Sequence, residues 1–266
     1  MDLQGFAQNG WMHLPADART LRWAQAAAKV GARVLADPEM RAQWLQCDGT
    51  WFVGVDALPT APDGSIAGVP LAGAAVDLLA PLPELHPAQL SVTFPGYPRP
   101  RAGDSDASFR YRLKRDAAHV DGIIAQGPDR RRFVLEPHDF ILGLPLNEAP
   151  ADASPLVVWE GSHQIMGQAF RAALAQVPEP QMSRIDVTDI YTTTRAAVFD
   201  TCPRKPLPAR PGEALILHRH LLHGIAPWEQ AADTPALAHR MMAYFRPLCA
   251  GGVSDWVFTA SRIGVA

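Results

Sequence analysis

Gly212-Glu213-Ala214-Leu215-Ile216-Leu217-His218-Arg219-His220-Leu221-Leu222-His223-Gly224 is the stretch on which the reading of the chain turns. Ala214–Leu217 is an apolar run of strand length. It is entered through Gly212-Glu213 and followed by three histidines within six residues. In a strand, residues two apart share a face, so His218 and His220 project together. Neutral imidazole is a common ligand for divalent transition metals. A single short strand supplies only part of a ligand set, and the rest must come from a strand distant in sequence. An antiparallel jelly roll brings such strands together. By chemistry alone His218, His220 and His223 all remain open as ligands. The competing reading is that His218 and His220 alternate into a sheet face and bond to neighbours.

Upstream, His119-Val120-Asp121-Gly122 places an imidazole and a carboxylate two residues apart. In extended backbone both point to one side, which is half of the two-histidine, one-carboxylate set of non-haem Fe(II) oxygenases. Downstream, Arg240, Met242, Tyr244 and Arg246 alternate with apolar residues and share one face of a strand over 240–246. A guanidinium on a core strand needs an anionic partner, either a protein carboxylate or a ligand's.

Around these three elements the chain is mostly short strands. Trp51–Val55, Leu90–Phe94, Phe133–Leu135, Phe140–Leu146, Leu156–Trp159 and Trp256–Thr259 read as strands, as does the alternation of Phe109, Tyr111 and Leu113 with Arg110, Arg112 and Lys114. Helices are expected over 18–36, with Asp17 as N-cap, over about 71–80 after Pro70, and in an insertion covering Ile165–Gln176 and Thr188–Phe199. Asp129–Arg132 reads as a solvated turn. The expected architecture is one mainly β domain over 1–266. Residues 1–89 form a helical N-terminal layer, and residues 90–266 form the β core with a helical insertion at about 164–200.

Composition narrows the function. With 24 basic and 27 acidic residues the net charge is −3, which gives no overall attraction to nucleic acid or to an anionic membrane. No apolar run reaches the ~18 residues of a membrane span. The opening MDLQGFAQNGWMHLP lacks a basic start followed by an apolar stretch, and the three scattered cysteines fit a reducing compartment, so a cytoplasmic location is expected.

Four ordered segments, HVDG at 119–122, SPLVVWEGSH at 154–163, GEALILHRHLLHG at 212–224 and RMMAYFRP at 240–247, resemble the phytanoyl-CoA dioxygenase-like branch of Fe(II)/2-oxoglutarate-dependent dioxygenases. The resemblance covers roughly residues 90–247. It implies a double-stranded β-helix (a jelly roll, cupin-like), with N-terminal helices and one helical insertion. It selects His223, the histidine before a small residue, and so implies His119, Asp121 and His223 as metal and catalytic ligands. It assigns the far carboxylate of 2-oxoglutarate to Arg240, with Arg246 on the same face as fallback. The implied cofactors are Fe(II), 2-oxoglutarate as co-substrate, and O₂. The implied reaction is oxidation of a small molecule with release of succinate and CO₂. Iron halogenases of this superfamily replace the carboxylate ligand by a small residue, so Asp121 favours hydroxylation. Two departures stand out: Arg240 follows His223 by 17 positions, with Gln230–Ala238 as an expected loop insertion, and Pro227-Trp228 replaces a polar residue common in the family. His220, Glu213 and His163 are expected to support the ligands from behind, and Trp159, Tyr97 and Phe109 are candidate pocket residues. The alternative is a cupin-type metalloprotein that binds Zn, Ni or Fe through His218, His220 and His223 without 2-oxoglutarate.

Overall fold

A computed structural model describes residues 2–229 and 238–263. The N-terminal part runs α1 (Leu3–Asn9), β1 (Trp11–Leu14), α2 (Ala18–Ala36), α3 (Pro38–Trp44), β2 (Leu45–Gln46), β3 (Trp51–Leu58) and α4 (Ala74–Leu79). The middle holds β4 (Ala88–Thr93), α5 (Asp106–Lys114), β5 (Ile123–Gln126), β6 (Arg131–Val134), β7 (Phe140–Pro145) and β8 (Leu156–Trp159). Then come α6 (Ser162–Leu174), α7 (Glu179–Met182), α8 (Thr188–Thr201), β9 (Arg204–Leu207), β10 (Ala214–His218), β11 (His223–Ile225), β12 (Arg240–Phe245) and α9 (Gly252–Phe258).

Seven strands form an antiparallel sheet in the order β1-β10-β7-β12-β4-β3-β2, and a three-stranded sheet, β11-β8-β9, accompanies it. Strand β12 shows how the layers arise. Met241, Ala243 and Phe245 enter the core shared with α2, where Trp23 meets Phe245 at 5.6 Å between ring centroids. Met242 and Tyr244, on the opposite face, pack with Leu156 and Val158 of the small sheet. The protein is a double-stranded β-helix, and the space between its two sheets is where side chains from both can meet. Helix α2 begins as expected, with the Asp17 carboxylate accepting from the Arg19 amide at 2.7 Å. Its buried Trp23, Ala24, Ala27, Val30 and Gly31 form one helical stripe against the large sheet.

Three expectations are corrected. Residues 106–114 are helical, not extended. Ser105 caps the helix by accepting from the Ser108 amide, and Arg112 turns inward to pair with Asp104. The C-terminal segment at 252–258 is helix α9, with Val253, Trp256 and Val257 buried at helical spacing. The first 89 residues are more than a helical layer, because they supply β1, β2 and β3 to the large sheet. The helix expected over 71–80 is confined to α4. Of the Gln230–Ala238 loop, residues 230–237 lie outside the described residues. No helix among the described residues is long and apolar enough to cross a membrane.

His163, half-buried His218 and His220 form a separate group between α6 and β10. Ring centroids are 4.8 Å apart for His163–His218 and 5.3 Å for His218–His220, and His220 sits against Trp256 at 4.3 Å. Burial holds all three imidazoles below their ordinary 6.5, His218 and His220 well below it. The folded state therefore excludes protons that the unfolded chain accepts. This stabilising contribution is complete above pH 6.5 and is lost as pH falls toward the depressed folded values. The urea midpoint is accordingly expected to drop between pH 7.5 and 5.5, and a His220→Leu variant should show a shallower drop over the same interval.

Candidate metal centre

The two halves of the site are joined through the backbone. The His119 amide donates to the His223 carbonyl at 2.8 Å, and the His223 amide returns a bond to the His119 carbonyl at 3.0 Å. This antiparallel bridge brings the histidine rings to a centroid distance of 4.6 Å. The segment leading into it is held from several sides. Asp116 receives a bidentate contact from Arg204 of β9 at 2.7 and 2.9 Å, its carbonyl accepts from the Ile225 amide at 2.9 Å, and the Tyr111 hydroxyl donates to the Ala118 carbonyl at 2.7 Å. Asp116 and Ala117 both have left-handed backbone, with φ of 53°, so the chain turns sharply before His119.

His119, Asp121 and His223 each offer a ligand atom, all within 4.8 Å of one another, and they are the only such cluster among the described residues. Asp121 Oδ1 lies 3.1 Å from His119 Nε2 and 3.7 Å from His223 Nε2. Each Nδ1 faces a carbonyl two residues upstream, Ala117 at 3.0 Å and Leu221 at 2.9 Å. A carbonyl can only accept, so each neutral ring carries its proton on Nδ1 and turns the Nε2 lone pair toward the shared point. Burial would raise the Asp121 pKa. The Arg246 guanidinium, whose Nη1 lies 3.5 Å from Oδ2, outweighs that effect together with the two histidines, and the carboxyl is held well below its usual range. Burial and the neighbouring His119 push His223 down to about 4. At neutral pH the group is thus one carboxylate and a neutral, buried His223, the state a divalent cation requires.

The triad opens into a cavity of about 170 Å³ between the sheets. Val53, Ile141, Leu156, Leu217 and Ile225 make its apolar wall, while Gln89, Ser91, Tyr244 and Arg246 supply polar atoms. Arg246 had only a fallback role in the sequence. Here it both touches Asp121 and lines the cavity. Arg240 is buried at the start of β12, opposite Thr93, and does not line the cavity. Six residues of strand, about 20 Å, separate the two arginines along β12.

The expected supporting residues lie elsewhere. Glu213 pairs with His13 at 3.0 Å, His163 faces the Ala7 carbonyl at 3.1 Å, and His220 belongs to the group beside Trp256. Main-chain carbonyls take the place expected for these side chains. His218, His220 and His223 do not assemble a ligand cluster among the described residues. Tyr97 stacks edge-on against Trp51, which lines the cavity, whereas Trp159 lies in the α6–α8 core and Phe109 on α5.

No family model matches the chain, and no curated protein matches it. Among solved structures the chain is similar to EvdMO1, at 15% identity and a TM-score of 0.50, covering 93% of this chain and 49% of that one. It also aligns with SnoK, a non-heme alpha-ketoglutarate dependent carbocyclase from nogalamycin biosynthesis, at 14% identity, 95% and 87% coverage and a TM-score of 0.48. A third alignment is with EctD from S. alaskensis, solved with 2-oxoglutarate and 5-hydroxyectoine, at 16% identity, 99% and 86% coverage and a TM-score of 0.46. At these identities the likeness concerns the fold.

Gly224 is what lets β11 lie against the turn before His119, because a Cβ there would stand 2.1 Å from the Asp116 carbonyl oxygen. Gly224→Ala is therefore expected to destabilise the protein by about 1–3 kcal/mol, measured as a lowered urea midpoint. A neutral result would show that the segment can move without cost.

Proposed function

We propose that the protein is an Fe(II)- and 2-oxoglutarate-dependent oxygenase in which His119, Asp121 and His223 hold the metal and the substrate is a small molecule that is hydroxylated. The observation that carries this reading is the convergence of two Nε2 lone pairs and one carboxylate oxygen beside a partly apolar cavity. The donor set deeper between the sheets fits the co-substrate. Arg240 Nη2, Thr93 Oγ1 and Tyr244 Oη are buried with no hydrogen-bond partner among the described residues. Arg240 and Thr93 are cross-strand neighbours, and Tyr244 lies on the same face of β12. Unpaired buried donors are costly, and a carboxylate could accept from all three. Arg240 is thus the proposed anchor for the far carboxylate of 2-oxoglutarate.

Iron and 2-oxoglutarate, when bound, would supply the oxidation of substrate by O₂ with release of succinate and CO₂. The chain's own contribution is positional. Arg246 engages Asp121 Oδ2 and leaves Oδ1 toward the histidines, so Oδ1 is the oxygen that would hold the metal. The carbonyls of Ala117 and Leu221 fix both rings. The wall of Val53, Ile141, Leu156, Leu217 and Ile225 limits water at the reacting centre. Asp121 would offer a carboxylate oxygen to the metal where the iron halogenases have a small residue, which supports hydroxylation.

Anaerobic protein mixed with Fe(II) and 2-oxoglutarate is expected to develop the visible charge-transfer absorption of the chelate. Wild type without that band, or an Asp121→Ala/His223→Ala double variant that keeps it, would overturn the assignment. Arg240→Met should raise the half-saturating 2-oxoglutarate concentration at least about tenfold while leaving Fe(II) binding intact. Arg246→Met should instead weaken Fe(II) binding by about 10- to 100-fold, read from metal titration without co-substrate.

A further inference from the structure

A second cavity, of about 190 Å³, adjoins the first, and Gln89 and Arg246 line both. Its other polar walls are Asp56, His86, Glu136 and His138. Glu136 is placed beside the triad by the backbone. Its amide donates to the carbonyl of Gly122, the residue after Asp121, at 3.2 Å. Gly122 has φ of +82° and would carry a Cβ only 2.0 Å from the Glu136 carbonyl oxygen, so no larger residue allows this approach. Asp56 sits on an irregularity in β3, where the register with β4 shifts between Gly54 and Leu58.

His138 shows what the cavity lacks. It is 6% exposed, and its Nδ1 faces the Arg246 carbonyl at 2.8 Å. That carbonyl accepts the Nδ1 proton, which leaves Nε2 of a neutral ring as an acceptor. Nε2 is buried with no hydrogen-bond partner among the described residues, and the nearest carboxylate oxygen, Glu136 Oε2, lies 3.4 Å away. The neighbouring imidazole holds the Glu136 carboxyl below its ordinary range against the effect of burial, and beside a neutral ring the pair still lacks the donor that two facing acceptors need. Asp56 adds a third acceptor, and the single Arg246 charge is divided between Asp121, 3.5 Å away, and Glu136. The cavity is thus rich in acceptors and negatively charged, and it continues into the space beside the triad.

We propose that this cavity is a substrate subsite that selects a cationic amine head group, its N–H donors shared among Glu136, His138 and Asp56, with the attached apolar chain directed along the apolar wall toward His119, Asp121 and His223. As a substrate subsite it rests on the oxygenase reading, which the charge-transfer band tests separately.

The protein is titrated with n-pentylammonium, 1-pentanol and pentanoate, once metal-free and once loaded with Fe(II) and 2-oxoglutarate, by calorimetry or saturation-transfer NMR. Binding of pentylammonium should be at least about tenfold tighter than that of the other two. The exposed substitutions Asp56→Asn and Glu136→Gln should each reduce the preference, and the double variant should abolish it. His138→Gln, which keeps an acceptor, should retain more of the preference than His138→Phe. In the loaded protein, pentylammonium should stimulate succinate release more than pentanol does. Equal affinities for the three probes, or an unchanged preference in the Asp56→Asn/Glu136→Gln variant, would overturn the subsite while leaving a normal charge-transfer band and the oxygenase reading intact. Selective amine binding without any band would keep the amine site and overturn its role in oxidation.

Discussion

The pair of backbone hydrogen bonds between His119 and His223 is the constraint on which the rest of the site depends. It joins residues from opposite halves of the chain at one step of antiparallel pairing. Such a contact closes a long loop before it is rewarded. The cost is met around the pair rather than within it, by the Asp116–Arg204 contact, the Ile225 amide bond and the Tyr111 hydroxyl. Without those, the pair would rest on its own two bonds and on the pairing of β11 with β8. The large sheet contributes by holding β12 and β4 opposite, so that Arg246, Tyr244 and Gln89 face the histidines from the other layer.

Charge balance follows from the same arrangement. One carboxylate is buried among two imidazoles and a guanidinium; burial raises its pKa, and the guanidinium together with the two histidines outweighs that rise. Arg246 is therefore as much a part of the centre as the three candidate ligands. It stands at the junction of two cavities, with the apolar wall on one side and the acceptor-rich wall on the other.

Much of this was readable in the chain itself. The spacing of His119 and Asp121 and the strand ending at the histidine cluster located all three members of the triad, although choosing His223 over His218 and His220 needed the family resemblance. The long strands were legible because continuous apolar runs such as Phe140–Pro145 and 241–245 are buried on both faces. Residues 106–114 were misread because Phe109, Tyr111 and Leu113 alternate with basic residues, while Phe109 and Leu113 also satisfy helical spacing. The Ser105 cap and the buried Arg112–Asp104 pair decide in favour of the helix. Strands β1, β2, β9 and β11 are two to four residues long and carry no pattern of their own. Their identity comes from the strands they pair with. The supporting side chains were misassigned for a related reason, since no sequence pattern records that a carbonyl two residues upstream holds each ring.

That last feature bears on how the protein tolerates change. When a buried carboxylate or amide orients a ligand histidine, one substitution elsewhere in the chain can turn the ring or switch its tautomer. Here both Nδ1 protons are taken by the main chain of each histidine's own segment, at Ala117 and Leu221. Every residue type carries that carbonyl, so ring orientation is indifferent to which side chains stand at 117 and 221 as long as the local backbone path survives. The centre is in this sense insulated from drift in the surrounding sequence. Its vulnerable positions are those that shape the path: the left-handed turn at Asp116 and Ala117, and the glycine at 224.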